Sequence, residues 1–216
     1  MSEPAGRAGA VRDAVSCAEA EATEAIAGAA PADTLAELRS ALGARLLDDP
    51  ASLAAYAVDS SRAQPEGLPI ALVRATSTDD VSTALAWAHA RGIRVSVRGA
   101  GTGLSGGAVA YAGGLVVSLE AMNRIIDIDV DNRLADVEAG VITADLDAAA
   151  LAHGLFFPPD PASAQWSTIG GNIATNAGGL RCVAHGVTTD VVAALEIVLA
   201  DGRVMRTGAR TRKNTT

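Results

Sequence analysis

The sequence predicts an α+β chain of two unlike parts, a small β-α-β unit followed by a larger, mainly antiparallel region with flanking helices. Three observations predict it. Short apolar runs at 70–73, 93–97 and 115–119 have strand length, and a helical pattern lies between the first two. After Met122 the apolar residues alternate over 125–130 and 134–138, two runs joined by Asp131-Asn132-Arg133. A second pair of runs, at 194–200 and 203–207, flanks Asp201-Gly202, a two-residue hairpin signal.

The elements follow in order. Residues 1–32 are Ala-rich and acidic with few large apolar side chains, and read as a mobile tail before a folded region at 33–216, divided into 33–122 and 123–216. Asp33 or Thr34 is the expected N-cap of a helix, with Glu37 completing a capping box. Leu35, Leu38, Leu42 and Leu46 keep helical spacing up to Asp48, and Pro50 is expected to end the segment. Thr78 with Asp79 and Asp80 opens the next helix, Val81, Leu85 and Ala88 line one face of it, and Gly92 stops it. In the hairpin, Ile126, Ile128 and Val130 are expected on the dry face. Thr143 is expected to cap a helix carrying Leu146 and Leu151, ended by His153-Gly154. Phe156-Phe157-Pro158-Pro159-Asp160-Pro161 must be extended, because its prolines exclude helix.

Composition excludes several classes. A net charge of −8, with no basic run before Arg210-Thr211-Arg212-Lys213, argues against nucleic acid or an anionic membrane as the main partner. Cys17 and Cys182 make neither a disulfide framework nor a metal spacing. No apolar stretch approaches the roughly 18 residues of a membrane span. The acidic N-terminal segment lacks the apolar core of a signal peptide, so the expectation is a soluble cytoplasmic chain without membrane insertion. Aromatic residues are 3% of the chain, so the core must be aliphatic.

Chemistry concentrates in two glycine clusters. The first, Arg98-Gly99-Ala100-Gly101-Thr102-Gly103-Leu104-Ser105-Gly106-Gly107, follows a strand. Glycine admits positive φ and close approach, and successive bare N–H groups form a concavity for an anion such as a pyrophosphate. Gly101-x-Gly103-x-x-Gly106 also matches a nicotinamide-cofactor fingerprint, with Glu120 at the end of the next strand. That reading needs a helix at the third glycine, and too few residues separate Gly107 from Leu115 to form one. The second cluster, Thr168-Ile169-Gly170-Gly171-Asn172-Ile173-Ala174-Thr175-Asn176-Ala177-Gly178-Gly179, reads as another loop. Thr168, Asn172, Thr175 and Asn176 offer hydrogen bonds of both polarities, which suits a flavin and its ribityl chain. Either loop alone has turn chemistry as its alternative reading. Two of them, joined by the extended proline segment, favour one long ligand lying between two halves.

Together with Phe157-Pro-Pro-Asp-Pro161 and Leu195-Glu-Ile-Val-Leu-Ala-Asp-Gly202, these clusters resemble the FAD-linked 2-hydroxyacid oxidases, the glycolate oxidase FAD subunit and D-lactate dehydrogenase group, with an FAD-binding PCMH-type domain of the vanillyl-alcohol oxidase fold. The resemblance implies a flavin-dependent oxidoreductase that oxidises a 2-hydroxy acid of glycolate or D-lactate type by hydride transfer to FAD. It implies that Arg98, Gly99, Ala100, Gly101, Thr102, Gly103 and Gly107 form the pyrophosphate loop. Thr102 stands where some relatives have a histidine bonded to the flavin, so the FAD is expected to be non-covalent. Asp160, Thr168, Gly170, Gly171, Asn172, Ala174, Thr175 and Asn176 are implied along the ribityl chain and ring, with Gly178 and Leu199 nearer the nucleotide end. In the resembled family the substrate arginine, catalytic histidines and metal site lie in a cap domain and C-terminal segments. The chain as given therefore reads as C-terminally truncated, with no catalytic or metal residues of its own and with apolar surface exposed. The alternative is a flavin-binding subunit that works with an electron-accepting or catalytic partner chain. His89, His153 and His185 are expected to be structural, the last as a packed or capping side chain, and Cys182 a small buried residue. Arg181 and Arg210 are expected to be solvated rather than to bind a carboxylate.

Overall fold

The computed structural model describes residues 32–209. The segment at 1–31, with Cys17, and the basic stretch at 210–216 lie outside the described residues. Helix α1 (Ala32–Leu42) starts ahead of Thr34, so the expected cap sits inside its first turn, a shift within the scatter of helix ends. It also stops earlier than the leucine spacing suggests. Gly43 takes φ +57°, a conformation cheap for glycine and suited to ending a helix. One tight turn (Gly43–Arg45) then leads into strand β1 (Leu46–Leu47), so Leu46 enters the core from a strand and not from the helix face. Pro50 begins a helix rather than ending one. Asp49 caps α2 (Pro50–Tyr56) by accepting the Ser52 amide at 2.9 Å, and a proline at the first helical position lacks an N–H that would have had no partner there.

Strands β2 (Ala71–Arg74), β3 (Val95–Arg98) and β4 (Leu115–Ser118) form the parallel sheet expected of the first half, in the order β1-β2-β4-β3 with β1 antiparallel at the edge. Helix α3 (Thr78–His89), capped by Ser77, crosses from β2 to β3, and Gly92 follows it at φ +62°. Strand alternation splits the core. Ala71, Val73, Leu115 and Val117 pack under α1 and α3, while Leu72 and Val116 pack under α2 with Leu53 and Ala57. The core is aliphatic, as the composition requires, with Trp87 as its buried aromatic. Residues 99–114, which return the chain from β3 to β4, form no helix.

The second half carries the hairpin β5 (Ile125–Asp129) and β6 (Leu134–Val137). The register shifts between Ile125 and Asp127, leaving Ile126 as the extra residue of a bulge. Ile126 is consequently 60% exposed, and Val130 is exposed as well. The expected dry face is thus corrected: Ile125 and Val137 pack against Val141, Leu146 and Ile169 instead. Helix α4 (Thr143–Leu151) has Ile142 at its cap position. Thr143 is the first helical residue, its hydroxyl donates to the Ser167 carbonyl at 2.9 Å, and Leu151 is 59% exposed at the far end.

The second glycine cluster is helical where a loop was expected. Thr168 caps α5 (Ile169–Thr175) through its Oγ1, which accepts the Gly171 amide at 3.2 Å, and Asn176 ends the helix at φ +48°. Burial of Ile169 and packing of Ile173 against the hairpin core outweigh the poor helix propensity of two glycines. The short helices α6 (Cys182–His185) and α7 (Thr188–Val191) lead to the hairpin β7 (Ala194–Val198) and β8 (Val204–Gly208). Leu199 N–H donates to Arg203 O at 2.8 Å, so the connection is three residues, with Gly202 at φ +87°. This turn seats on α3, where Ser82 Oγ donates to the Gly202 carbonyl at 2.6 Å.

Below the hairpin, Glu138 is buried and accepts Arg124 Nη2 at 2.7 Å, Nε at 3.1 Å and the Arg124 amide at 2.8 Å. The Arg124 side chain holds the Glu138 carboxyl below the usual carboxylate range. A depressed folded pKa stabilises the fold above the unfolded value, about 4.3 for Glu, and the contribution is lost as pH falls through the folded one. Thermal unfolding followed from neutral pH into acid should therefore lose stability in this window, and Glu138→Gln should flatten that part of the profile.

Candidate functional site

The first glycine loop leaves the C-terminal end of the parallel strand β3, the end at which open α/β sheets hold ligands. Gly101 and Gly106 take φ +69° and +77°, the conformation that turns neighbouring amides to one side. Among the described residues, none of the amides from Gly99 to Gly107 donates a hydrogen bond within the protein. A Cβ at Gly103 or Gly107 would meet nothing within 4 Å, so open space lies over these positions.

The loop is tied from behind by residues that the sequence reading did not single out. Ser60 N–H donates to Gly101 O at 2.9 Å, and Ala108 N–H donates to Asp59 Oδ2 at 3.3 Å. The buried Arg98 is held beside the loop, with Nη1 donating to Tyr56 O at 2.8 Å and Val58 O at 2.9 Å. Asp59 also accepts the Ser61 amide at 2.9 Å, a local Asx turn. The run Asp59-Ser60-Ser61 carried that turn signal, but nothing local placed it beside a loop about forty residues later.

The two glycine clusters meet. A Cβ at Gly99 would lie 2.1 Å from Thr168 Oγ1, so this glycine is required by contact between the clusters rather than by a ligand. Around Thr168, Gly170 N–H donates to Ala139 O at 2.8 Å, and a Cβ there would lie 2.7 Å from the Ala139 Cβ. Gly171, Gly170, Ala100 and Thr102 are half-buried, and Ala174, Thr175 and Asn176 are exposed.

The polar side chains of this region are largely engaged within the fold. Buried Asn172 donates Nδ2 to Thr143 Oγ1 at 2.7 Å, Thr175 Oγ1 donates to Gly171 O at 3.0 Å, and Asn176 Oδ1 accepts Thr189 N–H at 2.9 Å. Asp160 stands 3.6 Å from Arg181 Nε, and Gly178 packs its backbone against the Cys182 sulfur. Leu199 lies in the β7–β8 turn, whose hydrogen bonds run within the turn and to α3.

Asp147, Leu151, Phe156, Arg181 and His185 line a shallow, open cleft of about 340 Å³. His185 is exposed rather than packed, edge-on to Phe156 at 5.3 Å between ring centres. Cys182 is half-buried rather than buried, and its sulfur accepts the Gly179 amide at 2.6 Å. His89 and His153 are both exposed at helix ends.

Unpaired amides over open space are the donor set a pyrophosphate requires, so the residues present fit a dinucleotide. The profile of the FAD binding domain family matches residues 69–208. The chain belongs to the FAD-binding domain family. Its cofactor is FAD, and its α+β fold is PCMH-type. This FAD-binding domain is 41% identical over 167 residues to the glycolate oxidase subunit GlcD of Bacillus subtilis, covering 77% of this chain and 35% of that one. It is 47% identical over 143 residues to a D-lactate dehydrogenase of Archaeoglobus fulgidus (66% and 32% covered). A D-2-hydroxyglutarate dehydrogenase of Xanthomonas citri is 38% identical over 170 residues (79% and 36%). The chain thus spans about a third of the length of these curated relatives. Among solved structures, 6-hydroxy-D-nicotine oxidase of Arthrobacter nicotinovorans superposes with a TM-score of 0.67 at 25% identity, covering 79% of this chain and 37% of that one. p-Cresol methylhydroxylase, crystallised with substrate, shares the fold at a TM-score of 0.71 and 24% identity, covering 84% and 36%. No described helix of the FAD-binding domain is long and apolar enough to cross a membrane.

Proposed function

We propose that this chain is the FAD-binding portion of a flavin-dependent oxidoreductase that oxidises a 2-hydroxy acid, of glycolate or D-lactate type. The observation that carries the reading is the row of unpaired amides from Gly99 to Gly107, in contact with the second cluster where Gly99 meets Thr168. The names of the glycolate oxidase, D-lactate and D-2-hydroxyglutarate relatives support the substrate class.

FAD, when bound, supplies the acceptor for a hydride from the carbon that bears the hydroxyl. The chain's own residues bind and orient. Gly99, Ala100, Gly101, Thr102, Gly103 and Gly107 present backbone N–H groups to the pyrophosphate, and Arg98 adds positive charge behind them while fixing the loop. Thr168, Gly170, Gly171, Ala174 and Thr175, with Asp160, run along the ribityl chain and ring. Buried Asn172 holds that surface from within and exposed Asn176 at its edge, and Gly178 and Leu199 lie toward the nucleotide end. Thr102 has no nitrogen nucleophile to bond a flavin, so the cofactor is held non-covalently. A second reading, a flavin-binding subunit that works with a partner chain, is favoured by the exposure of Trp166, Leu180 (93%) and Val183.

Titration of the purified chain with FAD should quench flavin emission, and acid precipitation should leave the flavin in the supernatant. NADH should not compete. Flavin emission unchanged throughout the titration would overturn the cofactor assignment, and a yellow precipitate would overturn non-covalent attachment. In the whole protein, bleaching of the flavin by glycolate or D-lactate under anaerobic conditions tests the substrate class.

A further inference from the structure

We propose that the turn at 56–61 is a clamp that holds the glycine loop in its anion-binding form, with Asp59 as its main positioning residue. The inference rests on the reading of that loop as the FAD pyrophosphate site. A loop whose amides from Gly99 to Gly107 find no acceptor among the described residues, and which twice takes positive φ, has little of its own to keep its shape, and glycine makes its disorder entropically favourable. Beside Val109 N–H donating to Gly106 O at 3.1 Å and Ser96 Oγ donating to Val109 O at 2.9 Å, most of the ties that keep it come from this one turn and reach both ends of the loop. At the root, Arg98 Nη1 donates to the carbonyls of Tyr56 and Val58. In the middle, Ser60 N–H donates to Gly101 O. At the far end, Asp59 Oδ2 accepts Ala108 N–H, and Ala57 O accepts Ala110 N–H at 2.9 Å. The turn is itself anchored, because its Ala57 and Leu53 of the preceding helix are buried against Leu72 and Val116.

The chemistry of Asp59 argues that it is kept for this contact. A carboxylate behind an anion site repels the ligand, so a charge there needs a compensating role. Burial opposes its ionisation, but hydrogen bonds from the Ser61 side chain, the Ser61 amide and the Ala108 amide outweigh it. One Asp59 oxygen serves the local turn and the other reaches across to the loop.

These two properties, acceptor and charge, separate by substitution. Asp59→Asn keeps an acceptor oxygen and removes the negative charge, so it should bind FAD as tightly as the parent or more tightly. Asp59→Ala removes the acceptor and should weaken FAD binding about tenfold, the worth of one positioning hydrogen bond. Asp59→Ser retains a turn to Ser61 but is too short for Ala108, so it should weaken binding like Asp59→Ala and serves if that variant does not fold. The dissociation constant is read by quenching of FAD emission on the full chain, beside the unfolding midpoint without FAD. Weaker binding for Ala and Ser with rescue by Asn supports the clamp. Equal affinity in all variants overturns it, as does tighter binding in all three, which would make Asp59 only a charge. A parent chain that does not bind FAD overturns the cofactor reading and the clamp with it, whereas a parent that binds beside indifferent variants overturns the clamp alone.

Discussion

Gly103→Leu should leave the fold standing and remove FAD binding. A Cβ at Gly103 meets no atom within 4 Å, and its backbone lies outside the positive-φ region, so the protein itself does not require glycine there. A branched side chain at that position would fill the space over the amides and displace a phosphate from at least two charge-assisted hydrogen bonds. Such bonds contribute roughly 1.5–3 kcal/mol each, so the affinity should fall by at least about a hundredfold. The unfolding midpoint without ligand should match the parent. Gly101, in the same loop, is the poorer test. It takes φ +69°, and a Cβ would lie 2.3 Å from the Arg98 guanidinium, so a bulky residue there would damage the loop whether or not FAD binds it. Retention of FAD by a folded Gly103→Leu chain would remove the pyrophosphate from this loop.

Gly179→Ala should be among the most destabilising small substitutions in the second half, with no ligand involved. Its added Cβ would lie 1.7 Å from the Asp160 carbonyl oxygen and 2.7 Å from the Pro161 nitrogen, both backbone atoms that cannot swing aside. The same carbonyl accepts the Leu180 amide at 3.3 Å, which joins the proline segment to the end of the second cluster. Relieving the overlap means separating these two segments. Overpacking of this kind costs about 3 kcal/mol or more, or roughly 6–12 °C in unfolding midpoint for a chain of this size. Calorimetry on the variant without FAD checks it; a midpoint within a degree or so of the parent would show that the two backbones are not held together here.

Much of the local structure was legible in the sequence. The strands, the hairpins and helix α3 were visible because hydrophobic period is a short-range property. Errors fell where a single residue has two uses. Pro50 stops a helix from inside one and starts one from its first position, and only the Asp49 cap decides between them. The glycines of the second cluster read as a loop by propensity, yet burial of Ile169 and the Thr168 cap make the segment helical. Ile126 alternated correctly on paper, but a bulge turned it to solvent.

The site divides in the same way. The first glycine loop could be recognised from composition alone, since bare amides follow from the absence of side chains. Which glycines border open space and which face the protein could not. Gly103 and Gly107 border open space, whereas Gly99 touches Thr168, and Asp59 reaches Ala108. By itself the sequence determined the order of strands β2 to β8, the helix between β2 and β3 and a glycine-rich loop after β3, because each is written within a few neighbouring residues. Only the tertiary structure decided that the loop meets the second cluster and is held by the 56–61 turn, because those contacts join residues tens of positions apart, and no local pattern encodes them.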